Sequence, residues 1–70
     1  MIESSVRCYC LRYSMSYDPE DVWAFVQRHN GFMDIRAGGE YWFYVYAEHE
    51  SLFRIAYPEL IRRPELDYIV

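Results

Sequence analysis

Gly38-Gly39-Glu40-Tyr41-Trp42-Phe43-Tyr44-Val45-Tyr46-Ala47-Glu48 is the stretch whose reading decides the fold. Six of the nine residues from Glu40 to Glu48 are aromatic or β-branched, the types that fit a pleated, half-buried surface. The glycine pair before them supplies a tight turn, so the segment reads as the second strand of a hairpin. Alternation sends Tyr41, Phe43, Val45 and Ala47 to one side and Trp42, Tyr44 and Tyr46 to the other. Both sides are largely apolar. One must cover the core, and the other is an open aromatic face that needs a partner or a cover.

Working outward, Phe32 to Ala37 is the first strand of that hairpin. The helix before it carries its own boundaries. Asp18 is a good N-cap, Pro19 suits the first helical position, and Glu20 and Asp21 suit the positive end of the helix dipole. Tyr17 can staple onto Val22 across the cap. Val22, Phe25, Val26 and His29 fall on one stripe, and Asn30-Gly31 is a suitable stop. Trp23 lies off the stripe, toward Gln27 and Asn30, where it is expected to be partly exposed.

Val6 to Met15 reads as an opening strand. Its odd face holds Arg7, Tyr9, Leu11, Tyr13 and Met15, and its even face holds Val6, Cys8, Cys10, Arg12 and Ser14. Arg12 and Ser14 favour turning the even face outward, with Leu11 toward the core, although Val6 and Cys8 argue the reverse. Residues 48–58 admit two readings. As a helix, Glu48 and Glu50 suit the N-terminus, His49, Leu52, Phe53 and Ala56 share a face, and Pro58 ends it. As a strand, the segment would need a turn at His49-Glu50-Ser51, which lacks Gly, Asn and Pro. The helix is preferred. Pro58 to Arg63 is expected to add a helical turn, and Leu66 to Val70 to form a closing strand.

The expected architecture for residues 1–70 is therefore a single α+β domain of order β-α-β-β-α-β. That is the ferredoxin-like motif, an antiparallel sheet with two helices on one face and one open aromatic face. The alternative is β-α-β-β-β with a single helix. In the first arrangement the start of the second helix, with Glu48 and Glu50, lies near the end of the first, with Arg28 and His29.

The totals narrow the function. Seventy residues are near the lower limit for a self-sufficient core. A hydrophobic content of 53% and an aromatic content of 20% argue against disorder. A net charge of −4 argues against a sequence-independent grip on phosphate backbones. All seven basic residues are Arg, and Arg, Tyr and Trp are the types enriched at interface hot spots. No apolar run approaches the length of a membrane span, and Met1 to Ser5 lacks the regions of a signal peptide, so a cytoplasmic location is expected.

No catalytic signature is visible. The phosphate-binding glycine motifs, H-E-x-x-H and C-x-x-C are all missing. Cys8 and Cys10 share a strand face near the upper distance for a disulfide, and a metal site would have to recruit His29 and His49, so neither a bridge nor a cofactor is expected. His49 between Glu48 and Glu50 reads as a solvated helix start rather than a general base. Asp18, Glu20 and Asp21 are better explained by capping than by cation binding. Tyr68-Ile69-Val70 has the apolar end that carboxylate-binding grooves accept, but a closing strand would occupy it.

What is left is the aromatic face. The expected function is a small non-catalytic protein-binding module, of the accessory or inhibitor type common among phage and mobile-element proteins. Its expected contact residues are Trp42, Tyr44, Tyr46, Arg12 and Trp23, and its partner is a larger protein complex or a second copy of the chain. The rival reading stacks nucleic-acid bases on the same face, and the acidic balance and the missing basic flanks speak against it. No small-molecule substrate is evident.

Overall fold

The computed structural model describes residues 5–12, 15–36 and 38–69. Seven elements follow in chain order: β1 (Ser5–Leu11), α1 (Pro19–Arg28), β2 (Phe32–Arg36), β3 (Glu40–Tyr46), α2 (Glu50–Ala56), β4 (Ile61–Arg62) and β5 (Tyr68–Ile69). The fold is mixed α+β, an antiparallel sheet with two helices. The strands run in the order β2-β3-β1-β4, and β5 pairs with β1 farther along.

The helix boundaries form for the local reasons visible in the sequence. Asp18 is extended and accepts a hydrogen bond from the Glu20 N–H at 3.0 Å, with Pro19 opening α1. At the other end Asn30 adopts the left-handed conformation (φ 62°). The Gly31 and Asn30 N–H groups donate back to Val26 and Gln27 at 2.8 and 3.2 Å, closing a Schellman motif. Gly31 is needed for space rather than for torsion. A Cβ there would stand 2.4 Å from the Tyr44 carbonyl oxygen and 2.7 Å from Val26. The turn between β2 and β3 holds both of its glycines at positive φ, 84° and 78°.

The segment after β3 is helical as far as Ala56. Ala47–His49 forms a 3-10 turn that runs into α2, and Tyr57 before Pro58 leaves the helical region. This excludes the single-helix alternative. Tyr9, Leu11, Phe43 and Val45 from β1 and β3 pack with Val22 and Val26 of α1, Phe53 of α2 and Leu60. Leu11 therefore faces the helix-side core, as expected. Phe25 and His29 complete the α1 stripe as half-buried residues, their rings 4.6 Å apart.

Three expectations are corrected. The opening strand ends at Leu11 rather than Met15. Met15 lies in a bend, and Tyr13 and Ser14 fall outside the described residues, as do Ala37 and Val70. Pro58 to Arg63 adds no helical turn. Ile61 and Arg62 instead lie opposite Cys10 and Tyr9 as an edge strand, because the outer side of β1 has backbone groups to satisfy. The closing strand from Leu66 is reduced to Tyr68–Ile69, since Pro64 coils the chain into a 3-10 turn through Leu66.

That turn breaks the outer strand in two. Between the paired positions β1 advances from Val6 to Tyr9 while the outer chain advances from Arg62 to Tyr68. The gap is bridged by side chain and backbone together. Cys8 N–H donates to the Asp67 carboxylate at 3.0 Å, and Cys8 C=O accepts from Arg63 N–H at 2.9 Å.

Candidate functional site

The sheet face opposite the helices carries Trp42, Tyr44 and Tyr46 from β3, as the alternation requires. It is not bare. Tyr44 is 8% exposed, and Val6, Cys8 and Cys10 are fully buried. Cys8 and Trp42, Tyr44 and Tyr46 form a second cluster with Val6 and Leu66. Phe32 stacks on Tyr44 with ring centroids 4.9 Å apart, and Tyr68 lies 6.0 Å from both rings. The expected open face is thus covered at its centre by the chain's own edge residues and C-terminal segment. Its periphery stays accessible: Phe32 and Tyr68 are each 38% exposed, and Trp42 and Tyr46 are half-buried.

Trp42 stands among arginines. The Arg36 guanidinium carbon lies 4.1 Å and that of Arg63 5.4 Å from its ring, within cation–π reach. The indole N–H donates to Glu40 at 3.3 Å, and the other Glu40 oxygen accepts from Arg12 at 3.3 Å. Arg36 pairs with Asp34 at 2.9 Å and Arg63 with Glu65 at 2.6 Å. Each arginine beside the tryptophan has a carboxylate of its own, so the patch is rich in planar cations yet close to neutral.

Of the five expected contact residues, Trp42, Tyr44, Tyr46 and Arg12 belong to this region, with Tyr44 serving mainly as its buried floor. Trp23 does not. It packs, half-buried, against the helix-side core. Phe32, Tyr68, Arg36 and Arg63 were missed in the sequence. Phe32 and Arg36 could have been found from β2 alternation, because they share the even face with Trp42 and Tyr44. Tyr68 and Arg63 depend on where the C-terminal segment lies.

The other chemical candidates are placed as follows. Both cysteines are buried and free. Burial pushes the Cys8 thiol up to about 11 and raises that of Cys10, so neither supplies a thiolate near neutral pH. His29 and His49 lie with ring centroids 4.5 Å apart. A cleft of about 280 Å³ beside them is lined by His29, Asn30, Tyr46 and Glu48. Among the described residues no group of three or more His, Cys, Asp and Glu is placed to hold a metal. Glu50 points elsewhere. It accepts from the Tyr9 hydroxyl at 2.5 Å and meets Arg7 and Arg62 at 3.6 and 3.5 Å. Arg62 in turn forks onto Asp67, which holds that carboxyl below its usual range. Burial and the hydrogen bond to Glu50 push the Tyr9 phenol up. This network ties the start of α2 to β1 and the C-terminal segment.

Comparison with protein-family models, with curated proteins and with solved structures found no match for this chain. The reading of the site rests on its own residues. No helix among the described residues is long and apolar enough to cross a membrane.

Proposed function

We propose that this chain is a small non-catalytic binding module that covers a surface of a larger protein with the aromatic face around Trp42. The carrying observation is the surface itself. Half-buried Trp42 lies beneath Arg36 and Arg63, and the exposed rings of Phe32 and Tyr68 rest on a buried Tyr44. Rigid aromatic and arginine side chains already held in place lose little entropy on contact and form the usual centre of an interface. We read the topology as ferredoxin-like, which the order β2-β3-β1-β4 and the packing of both helices against one cluster support. Protonated, buried thiols support a non-catalytic role. An accessory or inhibitor of phage type, acting in the cytoplasm, is the biological setting this reading fits.

The test is affinity capture from source-cell lysate with wild type, Trp42→Ala and Leu52→Ala. Leu52 is an exposed apolar residue on α2, away from the face, and serves as the control. A defined protein retained by Leu52→Ala and lost by Trp42→Ala is the expected result, with a weakening of about 2 kcal/mol or more in the purified pair. Retention by Trp42→Ala overturns the reading. Capture of nucleic acid that is released steeply by salt replaces it with the base-stacking one.

A further inference from the structure

We propose that the β2 edge is a self-association surface, where two copies of the chain pair antiparallel about Ile35 with Asp34 of each facing Arg36 of the other. The two edges of the sheet are built differently. On one, β4 and β5 are two residues long each and separated by the Pro64–Leu66 turn, so no continuous ladder is offered there. On the other, β2 is an unbroken five-residue strand without proline, and among the described residues β3 is its one sheet neighbour. Phe32, Asp34, Ile35 and Arg36 are exposed there, Ile35 at 64%.

Edge strands are normally protected by charge, and a run of like charge repels a second copy. Here the charges are opposite and two residues apart, and both side chains lie on the same face, 2.9 Å from each other. Such a pair is self-complementary in one register. A two-fold through Asp34 or through Arg36 would bring like charges directly opposite, which is destabilising. A two-fold through Ile35 sets Asp34 against Arg36 twice and forms an alternating ring of four charges. It also brings the two exposed Ile35 side chains together on the helix side. Directly opposed residues in an antiparallel ladder point to the same side of the sheet. The two aromatic faces would therefore be continuous, presenting the Trp42 region twice in one plane. This pairing does not depend on the binding role of that face.

The experiment is light scattering and sedimentation of the purified full chain over a wide concentration range, which needs no other partner. The expected mass rises from 8.6 kDa toward twice that value at sub-millimolar concentration. Asp34→Arg and Arg36→Asp should each raise the dissociation constant by about tenfold or more, since an attraction becomes a like-charge contact at two symmetric positions. The combined Asp34→Arg/Arg36→Asp chain should dimerise again, an outcome that unfolding cannot imitate. Ile35→Lys should keep the monomer's circular dichroism and lose the dimer. A wild-type chain monomeric throughout, or a dimer indifferent to these changes, overturns the proposal.

Discussion

The two faces of the sheet receive nearly the same apolar load from β1 and β3, yet they end in different states. On the helix side, Tyr9, Leu11, Phe43 and Val45 meet α1 and α2, and every one of them is at most 3% exposed. On the other side no α-helix among the described residues joins the cluster. Leu66 and Tyr68 from the C-terminal segment, with Phe32 from the sheet edge, close over Tyr44 and Cys8 and leave Trp42 and Tyr46 at the margin. Burial thus follows the covering chain available rather than the hydrophobicity of the strand. A face covered from one end has a buried middle and an accessible rim, and an accessible rim of Trp, Tyr, Phe and Arg is what a partner can use.

The sharpest way to break this comparison is to truncate neighbouring rings on opposite faces. Phe43→Ala should cost about 3–5 kcal/mol of stability in urea unfolding, because Phe43 is fully enclosed on the helix side. Tyr44→Ala should cost about 2–4 kcal/mol, less than its neighbour because its lid is thinner. An unchanged midpoint for Tyr44→Ala would mean that Phe32 and Tyr68 do not form a lid in solution. Equal costs would make the second face as much a core as the first.

A gentler probe uses pH. An unfolded thiol ionises near 9.0, while burial beneath the aromatic face holds Cys8 protonated up to about 11. Across that interval the unfolded chain has lost a proton that the folded chain keeps, so stability is fully present below pH 9 and falls as pH rises toward 11. The loss assigned to Cys8 is about 2–3 kcal/mol. Denaturant midpoints measured across this range should fall less steeply in Cys8→Ala, and an identical slope in the variant would show that the second face does not bury this thiol.

Much of this architecture is legible in the amino-acid order. Asp18-Pro19, the Val22/Val26 stripe, Asn30-Gly31 and Gly38-Gly39 act within one or two turns of chain, so local physics alone places α1 and the β2–β3 hairpin. Alternation in β3 correctly separates Phe43 from Tyr44. The candidate site is legible as a row of aromatics, but not in its exposure. Trp23, off the helical stripe, is partly exposed as expected, but it lies against the helix-side core rather than beside the aromatic face.

What only the tertiary structure decided depends on pairs far apart in sequence. Tyr9 reaches Glu50, Cys8 N–H finds Asp67, and Tyr68 settles beside Phe32 and Tyr44. The last residues carry a proline, two arginines and two carboxylates within a few positions, a pattern that suits helix, turn or strand equally well. Their conformation is chosen by what β1 leaves unsatisfied, namely an open edge, one N–H for the Asp67 carboxylate and an aromatic ring to cover. The sequence alone determined where the chain turns and which faces are apolar. Only packing could determine which face would be closed, because that depends on where the last residues come to rest.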